Sequence, residues 1–201
     1  MDRRVVFELP DYSIEQIKRD YHLYSLCIDD TAQIENIAIT IQSIYLYHNV
    51  LMGLPKWPRS MEASLCRTML IMSYSVLEGI VVSTGYKIQD RCRSCPHKCG
   101  SYCDSMFQGD RKKNEKDAFF NADGFLKNAE ILAMDASASK YYKTFRDSRN
   151  NVHLARNARI ITEDPMYSIS ECAFAVKLLQ KMIDVIYHNY LAFCERNNCE
   201  R

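Results

Sequence analysis

Apolar side chains return every three or four positions in five stretches of this chain, and that period constrains the fold more than any other feature. The clearest stretch is the last, where Cys172, Val176, Leu179, Ile183, Ile186, Tyr190 and Phe193 alternate steps of four and three. Such spacing lines one face of a helix with a continuous seam. Ser168-Ile169-Ser170-Glu171 opens it as a capping box, with the Ser and Glu side chains placed to satisfy the first free amides. The seam fits packing inside the domain and packing against a second copy equally well.

The other stretches have the same character. Pro10 and a second capping box, Ser13-Ile14-Glu15-Gln16, open a first helix with Ile14, Ile17, Tyr21 and Tyr24 on one face. Asp29-Asp30-Thr31 caps the next, whose stripe is Ile34, Ile37, Ile41, Ile44, His48 and Leu51 and which Gly53 and Pro55 end. His48 on that stripe reads as a core histidine. After the stiff linker Pro55-Lys56-Trp57-Pro58-Arg59, a third helix starts near Ser60 with Leu65, Met69, Met72, Val76 and Ile80 as its seam. Leu70, Leu77 and Val81 make other faces apolar too, which marks a helix packed on several sides. The pattern returns weakly from Ala118 to Met134, then firmly from Ser137 through His153.

Strand signals are almost absent. Only Val5-Val6-Phe7 has that character, and six Gly with five Pro cannot supply the turns of a β architecture. The expectation is an all-α fold, a bundle of about five helices forming one domain over residues 1–201. Residues 87–116 interrupt the apolar period and read as a Cys-rich insertion between the third and fourth helices. The apolar run from Met69 to Val82 is broken by Ser73, Ser75, Glu78 and Gly79, which makes it a core helix rather than a bilayer span. The first eight residues lack the apolar core of a signal peptide. Nine cysteines without such a signal imply a reducing compartment, so a cytoplasmic protein with no membrane contact is expected.

Four of the nine cysteines, Cys92, Cys95, Cys99 and Cys103, fall within twelve residues. The first two form a Cys-x-x-Cys chelating pair, and two further thiolates close a tetrahedral four-cysteine shell around zinc. Structural zinc would give the insertion a folding nucleus that its composition lacks. An iron–sulfur cluster uses the same four thiolates, although the spacing differs from the ferredoxin run. Free surface thiols are the third reading. Arg91, Arg93, Lys98, Arg111, Lys112, Lys113 and Lys116 surround the cluster, as a track for an RNA backbone or as a solvated loop offset by Asp104, Asp110, Glu115 and Asp117.

The net charge is only +1, so nucleic-acid contact requires a local patch. One lies at Arg146-Asp147-Ser148-Arg149-Asn150-Asn151-Val152-His153. Arg146 and His153 are seven positions apart, almost two turns, and Arg149 lies between them on the same face. A guanidinium clamps phosphate, and an imidazole moves protons near neutral pH. The plainer reading of the same residues is a solvated basic face.

The pattern of an Arg followed by a polar residue, a short spacer and a His resembles the motif of the HEPN superfamily. Arg146-Asp147 with six residues before His153 fits it, whereas Arg149-Asn150 has the dipeptide but only three intervening residues. The Ile-Thr-Glu loop and final long helix after the motif are also similar to HEPN chains. The likeness is strong over the C-terminal third and elsewhere extends only to helical architecture. It implies a metal-independent endoribonuclease, a toxin or antiviral effector, that leaves a 2′,3′-cyclic phosphate. It also implies a homodimer with a composite site and an antitoxin or regulatory partner. In that scheme His153 is the general acid or base, Arg146 holds the scissile phosphate, and Asp147 orients Arg146 or the partner's imidazole. Arg149 and Asn150 are supporting phosphate contacts, and catalysis needs no cofactor.

From a different class, a non-catalytic helical adaptor or RNA- or protein-binding module with a zinc-stapled lobe fits the same residues, because fold alone does not establish chemistry.

Overall fold

The computed structural model describes residues 13–27, 31–53, 58–94, 115–150 and 161–197. Among them the chain is all-α: α1 (Ile14–Asp20), α2 (Leu23–Leu26), α3 (Thr31–Gly53), α4 (Arg59–Ser94), α5 (Glu115–Asn128), α6 (Ala136–Asn150) and α7 (Ile169–Arg196). Two 3-10 turns, Ile161–Glu163 and Pro165–Tyr167, precede α7.

The 36-residue α4 is the axis of the bundle, packed against α3, α5, α6 and α7. Its sequence explains this position. Met69, Leu70, Val76, Leu77, Ile80 and Val81 point to different sides and are all buried. Each such side chain taken out of water contributes about 1.5–3 kcal/mol. At Gly79 a Cβ would stand 3.3 Å from Ile37 Cδ1, so the glycine lets α3 and α4 approach closely. α4 is long and apolar enough to cross a membrane, with a window of mean hydropathy 1.5, of which 56% is buried inside the bundle. The Met69–Val82 run is therefore part of a longer apolar helix than its interruptions imply.

The α7 seam behaves as its spacing requires. Cys172, Val176, Leu179, Ile183, Ile186 and Tyr190 are buried and Phe193 is partly so. Both capping residues also act as expected. Ser13 Oγ accepts from the Gln16 amide at 3.1 Å and Ser168 Oγ from the Glu171 amide at 3.4 Å. The α3 stripe is buried from Ile34 to Leu51, while His48 is half-buried. Loss of solvation lowers the His48 pKa below the ordinary histidine value.

Four boundaries differ from the periodic reading. The first helix breaks after Asp20, because His22 adopts a left-handed backbone with φ of 54°. Its ring stacks on Tyr187 of α7 at 3.9 Å and its Nε2 lies 3.2 Å from Asp184. The restart at α2 buries Leu23 and Leu26 and leaves Tyr24 exposed, bonded to Glu15. α4 runs on to Ser94, well into residues 87–116, since Lys87, Gln89 and Arg91 are good helix formers and Ile88 is still buried. Cys92 thus lies in the last turn of α4, and Cys95, Cys99 and Cys103 lie outside the described residues.

α5 begins at Glu115 and stops at Asn128 rather than Met134. Glu130 has φ of 62°, its amide donates to Lys127 O at 3.0 Å, and the Ile131 amide donates to Leu126 O at 2.8 Å. That pair of bonds is a Schellman closure with Glu in the place usually taken by Gly. α6 is described to Asn150, so His153 lies outside the described residues.

Candidate phosphate-binding face on α6

α6 starts where Asp135 Oδ1 accepts the Ala138 amide at 2.8 Å, while its other oxygen receives Lys181 Nζ at 2.6 Å. These two donors hold the Asp135 carboxyl below its usual value, the amide bond first and Lys181 next. Ala138, Tyr141, Tyr142, Phe145 and Ser148 follow at helical spacing and are buried. That inward stripe fixes the rotation of the helix. Lys143, Asp147, Arg149 and Asn150 consequently face solvent, and Arg146 sits on the edge of the buried stripe.

The Arg146 side chain is 40% exposed, with Nε 3.7 Å from Asp147 Oδ1. Among the described residues that carboxylate is its one charged partner, and at this distance the contact is an ion pair, longer than a hydrogen bond. The remaining guanidinium donors suit bidentate binding of a phosphate. Arg149 Nη1 donates to Asn150 Oδ1 at 3.3 Å. The structure therefore brings Arg146, Asp147, Arg149 and Asn150 together on the last turns of α6.

Tyr74 of α4 lies within the field of both arginines. Burial, then Glu78, push its hydroxyl up to about 12, with Arg149 and Arg146 pulling the other way. It is a neutral, protonated backing to the basic face at physiological pH. Tyr142 donates to Asp123 Oδ1 at 2.6 Å, and burial together with that carboxylate raises its pKa far above the ordinary value.

Arg146 also borders a cavity of about 260 Å³ between α6 and the end of α5. Lys127 and Lys143 share its rim with Arg146, and Leu132, Met134 and Tyr142 form its apolar walls. Lys127 pairs with Asp123 at 2.5 Å and lies 5.7 Å from the Tyr142 ring centroid. Sequence reasoning missed these rim cations. Lys143, three before Arg146, extends the Arg146–Arg149 spacing by one step. Lys127 comes from another helix and carries no local signal.

Beyond the motif, Arg59 at the start of α4 fixes the incoming chain. Its guanidinium donates to the carbonyls of Thr162 at 3.2 Å, Asp164 at 3.3 Å and Tyr167 at 2.7 Å, and pairs with Glu62 at 2.7 Å. The segment leading from the motif into α7 is thus clamped to the central helix. Among the described residues no group of three or more His, Cys, Asp or Glu could hold a metal ion. Compared with protein-family models, with curated proteins and with solved structures, the chain matches none.

Proposed function

We propose that this protein is a metal-independent endoribonuclease of HEPN type, cutting RNA at a site that two copies of the chain share. The observation that carries the reading is the Arg146 guanidinium, set on a rigid helix beside Arg149 with only the Asp147 carboxylate against it among the described residues. In the proposed reaction the RNA 2′-oxygen attacks the adjacent phosphorus and the bond to the 5′-oxygen breaks. One His153 takes the 2′-hydroxyl proton and the His153 of the second copy gives a proton to the leaving 5′-oxygen. Arg146 stabilises the charge that develops on the phosphorane oxygens. Asp147 holds Arg146 in place, and Arg149 and Asn150 contact flanking phosphates. The products are a 2′,3′-cyclic phosphate and a 5′-hydroxyl.

Two-fold symmetry supplies the second imidazole without further sequence. The proposal extends to a cytoplasmic toxin or defence role with a regulatory partner. It also includes a structural zinc held by Cys92, Cys95, Cys99 and Cys103, with none needed for the chemistry.

The test is incubation of purified full-length protein with bulk RNA in excess EDTA. Cleavage that survives the chelator and disappears in His153→Ala supports the nuclease. Binding without cleavage, unchanged by that substitution, indicates the non-catalytic module instead.

A further inference from the structure

We propose that the cavity bordered by Lys127, Lys143 and Arg146 is a nucleotide-binding pocket, which takes the phosphate on its basic rim and the base against Leu132 and Met134. The proposal deepens the nuclease reading, since that reading makes the nucleotide part of an RNA strand next to the bond being cut.

The charge balance comes first. Three cations border the cavity. The nearby carboxylate Asp123 is already engaged by Lys127 and by the Tyr142 hydroxyl. Lys143 has no carboxylate partner among the described residues, and Arg146 has only Asp147. The rim therefore carries positive charge that a phosphate dianion or diester would neutralise.

The walls point to what is attached to that phosphate. Leu132 is 8% exposed and Met134 partly buried, so both present apolar surface held in place by the core. Ser139 is the one hydroxyl on the lining besides Tyr142, and its Oγ lies 3.4 Å from the Met134 carbonyl. With the Tyr142 hydroxyl committed to Asp123, the cavity offers few groups for a sugar's hydroxyls. A flat heterocycle suits an apolar wall better. Size sets the limit: about 260 Å³ is just under the roughly 300–1,000 Å³ of pockets that take drug-sized ligands. The proposed occupant is accordingly a single nucleotide.

Position connects the pocket to the chemistry. Arg146 lies at once on the cavity rim and in the Arg146–Arg149 face, so a nucleotide seated here has its phosphate at the guanidinium assigned to the scissile bond. The nucleotide chemistry is the same whether it comes from an RNA strand or from a free nucleoside monophosphate, and the experiment separates the two.

Full-length His153→Ala protein, which keeps RNA intact in the proposed mechanism, is titrated by calorimetry with adenosine and uridine 5′-monophosphates. A short single-stranded oligoribonucleotide is titrated in parallel. The same titrations follow with Lys143→Glu, with Ser139→Trp to fill the cavity from an exposed position, and with Lys177→Glu as a charge control outside the cavity lining. Circular dichroism verifies the helical fold of each. The expected result is saturable binding, weakened about tenfold or more by Lys143→Glu and by Ser139→Trp and unchanged by Lys177→Glu. Binding of both probes with this pattern assigns the pocket to RNA. Binding of the monophosphates alone with this pattern upholds the pocket and assigns it to a free nucleotide. No saturable binding, or weakening by Lys177→Glu as large as by Lys143→Glu, overturns the pocket. Cleavage by the wild-type protein is read separately, so RNA that stays intact counts against the nuclease reading and not against the pocket.

Discussion

The Tyr142 hydroxyl of α6 donates a hydrogen bond to Asp123 Oδ1 of α5 at 2.6 Å, and this bond joins the two helices beside the cavity at Arg146. Tyr142→Phe removes the donor and leaves a partly buried carboxylate with Lys127 alone. The expected cost is about 1–3 kcal/mol. At roughly 2–4 °C per kcal/mol for a chain of this size, the thermal midpoint falls by several degrees. A calorimetric scan of the variant against wild type checks this, with helix content unchanged at low temperature.

Glu130 occupies the left-handed position that closes α5, with φ of 62°. A residue with a Cβ is strained there by about 1–2 kcal/mol, which glycine avoids. Glu130→Gly also loses an exposed pair with Arg196 at 3.4 Å, a contact of little weight. Its greater freedom in the unfolded chain offsets part of the gain. The net expectation is a small stabilisation, up to about 1 kcal/mol, seen as a higher urea midpoint at unchanged slope. A lower midpoint contradicts the Schellman closure.

Asp135 yields a pH prediction. Its folded-state pKa is depressed, so its contribution is fully present above the ordinary aspartate value of about 3.9 and is lost as pH falls through the lower folded value. Asp135→Asn keeps an oxygen for the Ala138 amide and removes the charge that Lys181 faces. Wild type should be more stable than the variant at pH 7, with the difference shrinking below about pH 4 as the carboxyl protonates. Urea titrations across that range measure it. A difference that persists at the acid end rules out charge as its origin.

The cysteine cluster is tested by metal content. Protein purified without added metal is expected to carry about one zinc per chain. Cys95→Ser should lower hydrogen-exchange protection across residues 95–114 more than in the bundle, whose helices have their own apolar seams. Absence of both zinc and iron contradicts the site.

Much of the fold is legible because burial follows period. The α7 seam and the many-sided apolar surface of α4 are local patterns, and the two serine caps need only four residues of sequence. The break at His22 is not local. It coincides with contacts to Tyr187 and Asp184, more than a hundred residues away, and no window along the first helix contains them. The stop of α5 at Glu130 was hidden for another reason, since a Schellman closure usually announces itself with Gly. At the candidate site the Arg146–Arg149 face follows from spacing, while the cavity needs Lys127 and Leu132 to arrive from beyond α6. The readings placed on His153, Cys95, Cys99 and Cys103 rest on sequence, as these positions lie outside the described residues.

The most direct test of RNA cleavage by this site is analysis of the product ends. A labelled oligoribonucleotide is incubated in EDTA with wild type, Arg146→Ala, His153→Ala, and an equimolar mixture of the two variants. The composite site predicts 2′,3′-cyclic phosphate and 5′-hydroxyl ends with wild type and none with either variant alone, at unchanged helix content. Because the mechanism uses the imidazoles of both copies, the mixture, whose heterodimers carry a single His153, is expected to stay inactive as well. Ends carrying a 5′-phosphate, cleavage that EDTA abolishes, or full activity in Arg146→Ala would contradict it.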